Sequence, residues 1–248
     1  MFQRVFVLGN WLFENCYPLY YPLYSLYKAM TDREERKLCR RWVGRGSTVI
    51  DVGANIGTFS RYLAGLVGHE GKVVAFEPAV TNFKYLQRNT AHLQQVAAIN
   101  AAVGEKHGQT KLYLSPELNV DHQMYDNGEG RSSVSVNLVS LDTFFEPGTK
   151  VSLLKIDVQG YELQVLKGAK RLIGENPEIK IILEFWPCGL QRSGSKPSDL
   201  FDLLTSYGMD CSEIGKPNSL IELQHDSMAM ERYLATDRYT NLAATRRI

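Results

Sequence analysis

The chain has 248 residues, 28 Lys and Arg against 27 Asp and Glu, a formal charge of +1 and 44% hydrophobic residues, which excludes a disordered tail or a fibre and argues against nucleic acid as a partner. The length suits one α/β domain with a sizeable core and a substrate pocket. Cys16, Cys39, Cys188 and Cys211 lie far apart with no CxxC pair, so neither a zinc site nor a disulfide framework is indicated and a reducing, cytoplasmic setting is expected.

The first thirty residues are aromatic-rich and carry only Arg4, Glu14 and Lys28 as charges. Asn10, Glu14, Asn15, Pro18 and Pro22 interrupt every apolar run well short of the ~20 residues of a spanning helix, and no cleavage site follows a basic start. Trp11, Phe13, Tyr17, Tyr20, Tyr21 and Tyr24 are expected to pack on the domain or cover its pocket. A membrane-surface contact is the alternative, without the Lys/Arg face that usually strengthens one. TDREERKLCRRWV then predicts a helix with Thr31 or Asp32 as N-cap and Leu38, Trp42 and Cys39 inward. STVIDVG reads as a strand, GTFSRYLAGLV as a helix with Phe59, Leu63, Leu66 and Val67 on one face, KVVAFEP as a second strand, NFKYLQRN as a helix and VAAINAAVG as a third strand. Ser115 to Ser132 breaks the alternation and reads as a long functional loop. SLLKIDVQG is a fourth strand, ELQVLKGAKRLI a helix, IKIILEFWP a fifth strand, PSDLFDLLTSYG a helix closed by Gly208, and MDCSEIG and TNLAATR the last two strands. Such alternation predicts a parallel sheet covered by helices.

The chemistry concentrates at Asp51-Val-Gly53-Ala54-Asn55-Ile-Gly57, where a strand becomes a helix. Glycines permit the sharp turn and close ligand approach, and an acidic residue at the strand end can accept hydrogen bonds from ligand donors. The spacing differs from the GxGxxG of dinucleotide enzymes, and a carboxylate in the turn would oppose a pyrophosphate, which disfavours a dehydrogenase and favours a cationic or zwitterionic ligand. Glu77, 26 residues after Asp51, ends the second strand, where a carboxylate can take both hydroxyls of a ribose.

VIDVGANIGTFS, VVAFEPAVTNFKYLQRN, INAAVG, SLDTF, LLKIDVQGYELQVLKGA and ILEFW, in this order over roughly residues 31–215, resemble the FkbM-type family of class I S-adenosylmethionine-dependent methyltransferases. The resemblance implies a Rossmann-like, doubly wound seven-stranded sheet, mostly parallel with a reversed last strand and helices on both faces. It makes residues 47–248 the methyltransferase domain and 1–46 a lead-in packing on or capping the pocket. It implies S-adenosyl-L-methionine as cofactor and S-adenosyl-L-homocysteine as product. Asp51, Gly53, Ala54, Asn55 and Gly57 would surround the methionine part and sugar, Glu77 and Pro78 the ribose, and Asn100, Ala101 and Ala102 the adenine edge. Asp157 would lie near the sulfonium and the incoming nucleophile.

Methyl transfer to an alcohol needs alignment, dehydration and removal of a proton, and requires no metal. His122, Asp157 and Glu184 are the candidates for proton removal. His122, beside Asp121 in the long loop, would take or orient the acceptor's proton. Glu184 and Glu162 are equally readable as orienting or capping residues, and Asp142 in SLDTF as the cap of the next short helix. The expected activity is O-methylation of a small hydroxylated molecule, a sugar unit of a glycan or glycolipid, or a secondary metabolite. N-methylation of a small amine, or a non-catalytic cofactor- or partner-binding domain, are the alternatives.

Overall fold

β-Branched and aliphatic runs form strands, and 3.6-periodic runs form helices, in alternation through most of the chain. The computed structural model describes residues 2–115, 121–126, 128, 130–215 and 234–246, with backbone alone for 2–8. Three helices lead: α1 (Phe2–Asn15), α2 (Tyr17–Thr31) and α3 (Arg33–Trp42). β1 (Thr48–Val52), α4 (Thr58–Val67), β2 (Lys72–Phe76), α5 (Val80–Thr90) and β3 (Val96–Ile99) follow, then β4 (Ala102–Val103), β5 (Gly108–Tyr113), β6 (Ser133–Val139) and α6 (Leu141–Phe144). The second half holds β7 (Leu153–Ile156), α7 (Glu162–Lys167), α8 (Lys170–Glu175), β8 (Lys180–Phe185), α9 (Pro187–Arg192), α10 (Pro197–Ser206), β9 (Met209–Glu213) and β10 (Thr240–Arg246).

Seven strands form one sheet in the order β3-β2-β1-β7-β8-β10-β9. The pairs from β3 to β8 are parallel, and β10 runs antiparallel to both β8 and β9. Alternate residues bury on opposite faces. Ile50, Val74, Leu154 and Ile181 meet Leu163, Leu166 and Leu200 on one side, while Val49, Val73, Leu153 and Ile182 meet Phe59, Leu63 and Val67 on the other.

Three expectations need correction. VAAINAAVG is not one strand: Asn100 breaks it, and Ala102–Val103 joins a second sheet of order β4-β6-β5. The described residues between Ser115 and Ser132 are a loop as expected, and because β5 and β6 pair antiparallel this loop is the connection of a hairpin; residues 116–120, 127 and 129 lie outside the described residues. ELQVLKGAKRLI is two helices, because the chain at Gly168 presses on Gly104, whose carbonyl oxygen a Cβ at 168 would meet at 2.0 Å. Asp142 does cap a helix, but α8 rather than α6, accepting from the N–H groups of Arg171 (2.8 Å) and Leu172 (2.9 Å), while Ser140 caps α6.

The aromatic lead-in is helical, with Phe13, Tyr17 and Tyr20 at helical spacing buried against Ile56. Tyr17 stacks on Tyr85 with centroids 3.6 Å apart, and its hydroxyl accepts from the Asn89 amide at 2.6 Å. Among the described residues no helix is long and apolar enough to cross a membrane. Deleting residues 1–24 removes this cluster, and we expect a lower melting temperature and lost turnover in detergent-free buffer. A truncated protein equal to the full chain in both would show the helices to be dispensable.

Candidate active site

The turn after β1 is made by residues that tolerate left-handed backbone: Gly53 (φ 80°), Asn55 (φ 50°) and Gly57 (φ 85°). A Cβ on Gly53 would stand 1.8 Å from the carbonyl oxygen of Asp157, so the ends of β1 and β7 meet only because the residue is glycine. Asn55 offsets its conformation by accepting the Ile56 N–H on Oδ1 at 2.7 Å. Its own N–H donates to Glu77 Oε2 at 2.9 Å, and the Ala79 N–H donates to Glu77 Oε1 at 2.9 Å. Each Glu77 oxygen keeps further acceptor capacity. Burial pushes the Glu77 carboxyl up to about 7 against the pull of these two donors.

A cavity of about 1140 Å³ runs from this turn across the strand ends and beneath α2. Gly53, Ala54, Asn55, Glu77, Pro78, Ala101, Ala102, His122, Asp157 and Glu184, all singled out in the sequence, line it. Asp51, Gly57 and Asn100 do not. Asp51 is fully buried below the turn, accepting from the Ser60 hydroxyl at 2.7 Å with the Lys155 ammonium 3.4 Å away. Gly57 packs on α5, where a Cβ would meet Leu86 Cδ1 at 2.7 Å. Asn100 donates its amide to the carbonyls of Glu77 (2.8 Å) and Pro78 (3.0 Å), fixing the turn that carries Glu77. These three therefore shape the floor from behind.

At the far end Lys155, almost wholly buried, lies 3.4 Å from both Asp51 and Asp157. Burial works against its charge, but Asp157 and Asp51 outweigh it and keep its pKa above the ordinary lysine value. Burial likewise opposes ionisation of Asp157, yet Lys155 and then Lys28 hold its carboxyl below the usual range. Glu184 behaves oppositely: burial, then the charges of Asp157 and Glu162, push it well above that range. Gln159, at φ 54°, donates one amide nitrogen to both carboxylates, to Asp157 Oδ1 at 3.3 Å and Glu184 Oε2 at 3.1 Å. Glu162 lies outside the cavity wall and accepts from the N–H groups of Val158 (3.2 Å) and Gly160 (3.1 Å), holding the turn after β7.

His122 reaches the same cavity from the β5–β6 connection. The Ser115 N–H donates to its Nδ1 at 3.1 Å, and burial lowers its pKa, so the neutral ring carries its proton on Nε2. Asp121 is engaged instead by Arg131 (2.8 Å) and Gln123 (3.1 Å). With Nδ1 accepting from Ser115, His122 presents Nε2–H to a ligand, which of its two expected roles favours orienting the acceptor over taking its proton.

Lys155, Lys28 and Gln159 were missed in the sequence, whereas Tyr24, expected to pack on the domain or cover its pocket, lines the cavity. A lysine inside the buried run LLKI, two residues before Asp157, was a visible signal for the first, since a buried cation needs a partner. Among the described residues no group of three His, Cys, Asp or Glu side chains converges as a metal site would require.

Residues 51–211 match the family described as methyltransferase FkbM domain. The methyltransferase sdnD of Sordaria araneosa is 28% identical over 198 residues, covering 65% of this chain and 73% of its own. The hexuronic acid methyltransferase AglP of Haloferax volcanii is 32% identical over 172 residues, 68% of this chain and 65% of its own. A structure from Clostridium thermocellum shares the fold with a TM-score of 0.50 at 12% identity, covering 86% of this chain and 95% of that one. A family match that runs from the end of β1 into β9 takes in both Glu77 and the Asp157–Glu184 pair, and the chain belongs to the FkbM family of S-adenosylmethionine-dependent methyltransferases, with the class I fold.

Proposed function

We propose that the protein transfers a methyl group from S-adenosyl-L-methionine to a hydroxyl of a small molecule or saccharide unit, releasing S-adenosyl-L-homocysteine. One observation carries the reading: a single cavity joins Glu77 and the glycine turn to two carboxylates, Asp157 and Glu184, whose surroundings drive their pKa values apart. The donor set fits this cofactor. Glu77 retains acceptor capacity for ribose hydroxyls, and carboxylates at both ends suit a cationic ligand and oppose a pyrophosphate. When bound, S-adenosyl-L-methionine supplies a methyl group already activated by positive sulfur.

The chain supplies position and proton removal. Asp157, held ionised by Lys155, keeps negative charge on the cavity wall. Glu184 takes the acceptor's proton, because a carboxylate with a raised pKa is better matched to neutral pH than a solvated one. His122 donates Nε2–H to an acceptor oxygen and orients it. Helix α2, through Tyr20, Tyr24 and Lys28, roofs the cavity and limits water. A sugar acceptor is supported by AglP, whose name specifies a hexuronic acid. A cytoplasmic setting is supported by four cysteines that are all free.

The test is to incubate the protein with S-adenosyl-L-methionine and a panel of uronic acids, hexose glycosides and small amines. Mass spectrometry should show gain of one methyl, placed on oxygen by fragmentation. A protein that binds S-adenosyl-L-homocysteine yet methylates nothing would be a binding domain, and methylated amines alone would make it an N-methyltransferase. For the cofactor half, Glu77→Ala removes charge-assisted bonds worth about 1.5–3 kcal/mol, and calorimetry should show affinity for S-adenosyl-L-homocysteine weakened at least about tenfold. The ionised carboxylate is the acceptor, so wild-type affinity should also fall as pH drops through about 7, and this dependence should vanish in the variant.

A further inference from the structure

The outer face of α2 gathers half of the exposed large hydrophobic side chains among the described residues. Six of the ten exposed large hydrophobic side chains lie on α1 and α2: Trp11, and the stripe Leu19, Leu23, Leu26, Tyr27 and Met30, each 51–71% exposed. Apart from two prolines and the final Thr31, these are all the exposed residues of α2. The helix's inner face is also apolar, with Tyr17 and Tyr20 buried. Its one charge, Lys28, lines the cavity and pairs with Asp32 at 2.8 Å. A helix that is hydrophobic all round belongs in an apolar setting on both sides, and this one has protein on one side only.

The stripe is continuous with the cavity. Leu23 and Tyr27 line the cavity while remaining 52% and 55% exposed, which makes them part of its mouth. Tyr239, 64% exposed, lines the cavity too and stands two residues before Asn241, the strand partner of Glu184. Lys28, next to Tyr27, is close enough to Asp157 to feel its charge. This mouth is therefore at the acceptor end.

We propose that the acceptor is an amphiphile held at a lipid–water interface: the outer face of α2 lies on the lipid, and the acceptor's hydroxylated head passes Leu23 and Tyr27 to reach Glu184. The proposal rests on the acceptor reading above and adds the class of substrate. A second copy of the chain on the stripe would cover Leu23 and Tyr27 and close the mouth, whereas a lipid surface delivers the substrate through it. The exposed face carries no charge, so apolar contact, with tyrosine at headgroup depth, supplies the attraction and anionic lipid is not needed.

Flotation with phosphatidylcholine vesicles tests this on the full chain. The protein should float with neutral vesicles, and raising the salt concentration should not release it. The combined variant Leu19→Gln, Leu26→Gln and Met30→Gln alters only stripe residues outside the cavity wall. It should float at least about tenfold less while keeping its melting temperature and S-adenosyl-L-homocysteine affinity. Wild-type protein that stays with the bulk solvent at high lipid, or a variant that floats equally, overturns the proposal. So does a wild-type dimer in sedimentation that the three substitutions dissociate. Flotation reads the surface and calorimetry reads the cofactor site, so failure of either idea is separable from failure of the other.

Discussion

Glu184→Gln is expected to bind S-adenosyl-L-homocysteine with near wild-type affinity and to turn over its acceptor at least about a hundredfold more slowly. The amide keeps the shape and the place at the end of β8 but cannot take a proton. Glu184 and Asp157 share the Gln159 amide, yet only Asp157 has a lysine against it, so the two carboxyls divide their tasks: one stays charged, the other exchanges a proton. The direction of the pH dependence follows. Glu184 must be ionised to act, and its pKa is raised, so kcat at saturating cofactor should rise with pH through a value above the ordinary carboxylate range. In Glu184→Gln that limb should disappear along with the rate. His122→Asn tests the competing assignment: a donor that orients the acceptor should cost less in kcat and leave the limb in place. If His122→Asn abolished the limb and Glu184→Gln kept it, the two roles would have to be exchanged.

Gly53→Ala should be the most damaging single methyl group that can be added to this chain. Two penalties coincide there. The backbone is left-handed, which alone costs a non-glycine residue about 1–2 kcal/mol. The new Cβ would also overlap the Asp157 carbonyl oxygen at 1.8 Å and its carbon at 2.8 Å, and these are backbone atoms of a central strand end with no room to retreat. We expect a loss of stability beyond about 4 kcal/mol, read as failure to fold or a collapse of the melting temperature. Gly57→Ala carries the same left-handed backbone penalty, but its Cβ presses hardest on the movable end of the Leu86 side chain (2.7 Å), with Thr90 Cγ2 at 3.4 Å, and should cost clearly less. Gly174→Ala, in α8 with nothing within 4 Å of the added carbon, should be neutral or stabilising by about 0.5–1 kcal/mol. A Gly53→Ala protein as stable as Gly174→Ala would show that β1 and β7 can part without consequence.

The parallel strands were legible because each is a short aliphatic run ending in a glycine or acidic residue, and this pattern survives in β1, β2, β7 and β8. Glu77 and Asp157 were legible for the same reason, since the end of a parallel strand places its residue on the rim where ligands bind. Asp51 shows the limit of that argument. It also stands at a strand end, but alternation turns its side chain to the face where Ser60 and Lys155 wait, and only the partners reveal which face is lined by the cavity. The second sheet escaped notice because SVSVNLV is half exposed and looks like the polar stretch before it. Helix α2 was hidden by Pro18 and Pro22. Pro18 falls in the first turn of α2, where a missing N–H costs nothing, and the spacing of Phe13, Tyr17, Tyr20 and Tyr24 was the helical signal beneath them. Gln159 had no signal, since its role exists only once β7 and β8 are side by side.

The central pairing of β1 with β7 also sets a timetable. The Ser152 hydroxyl donates to the Thr48 carbonyl across 104 residues of chain, whereas β1, β2 and β3 find one another through short helical crossovers. Contacts of such long range form late and slowly, because a large loop must close before they contribute. The glycine turn and Glu77 belong to the part that can assemble early, while Asp157, Gln159 and Glu184 arrive only with the late closure. In refolding experiments the affinity for S-adenosyl-L-homocysteine should therefore appear in the slowest phase, after most helical signal has recovered. Ligand added during refolding should trap the completed sheet without hastening its formation.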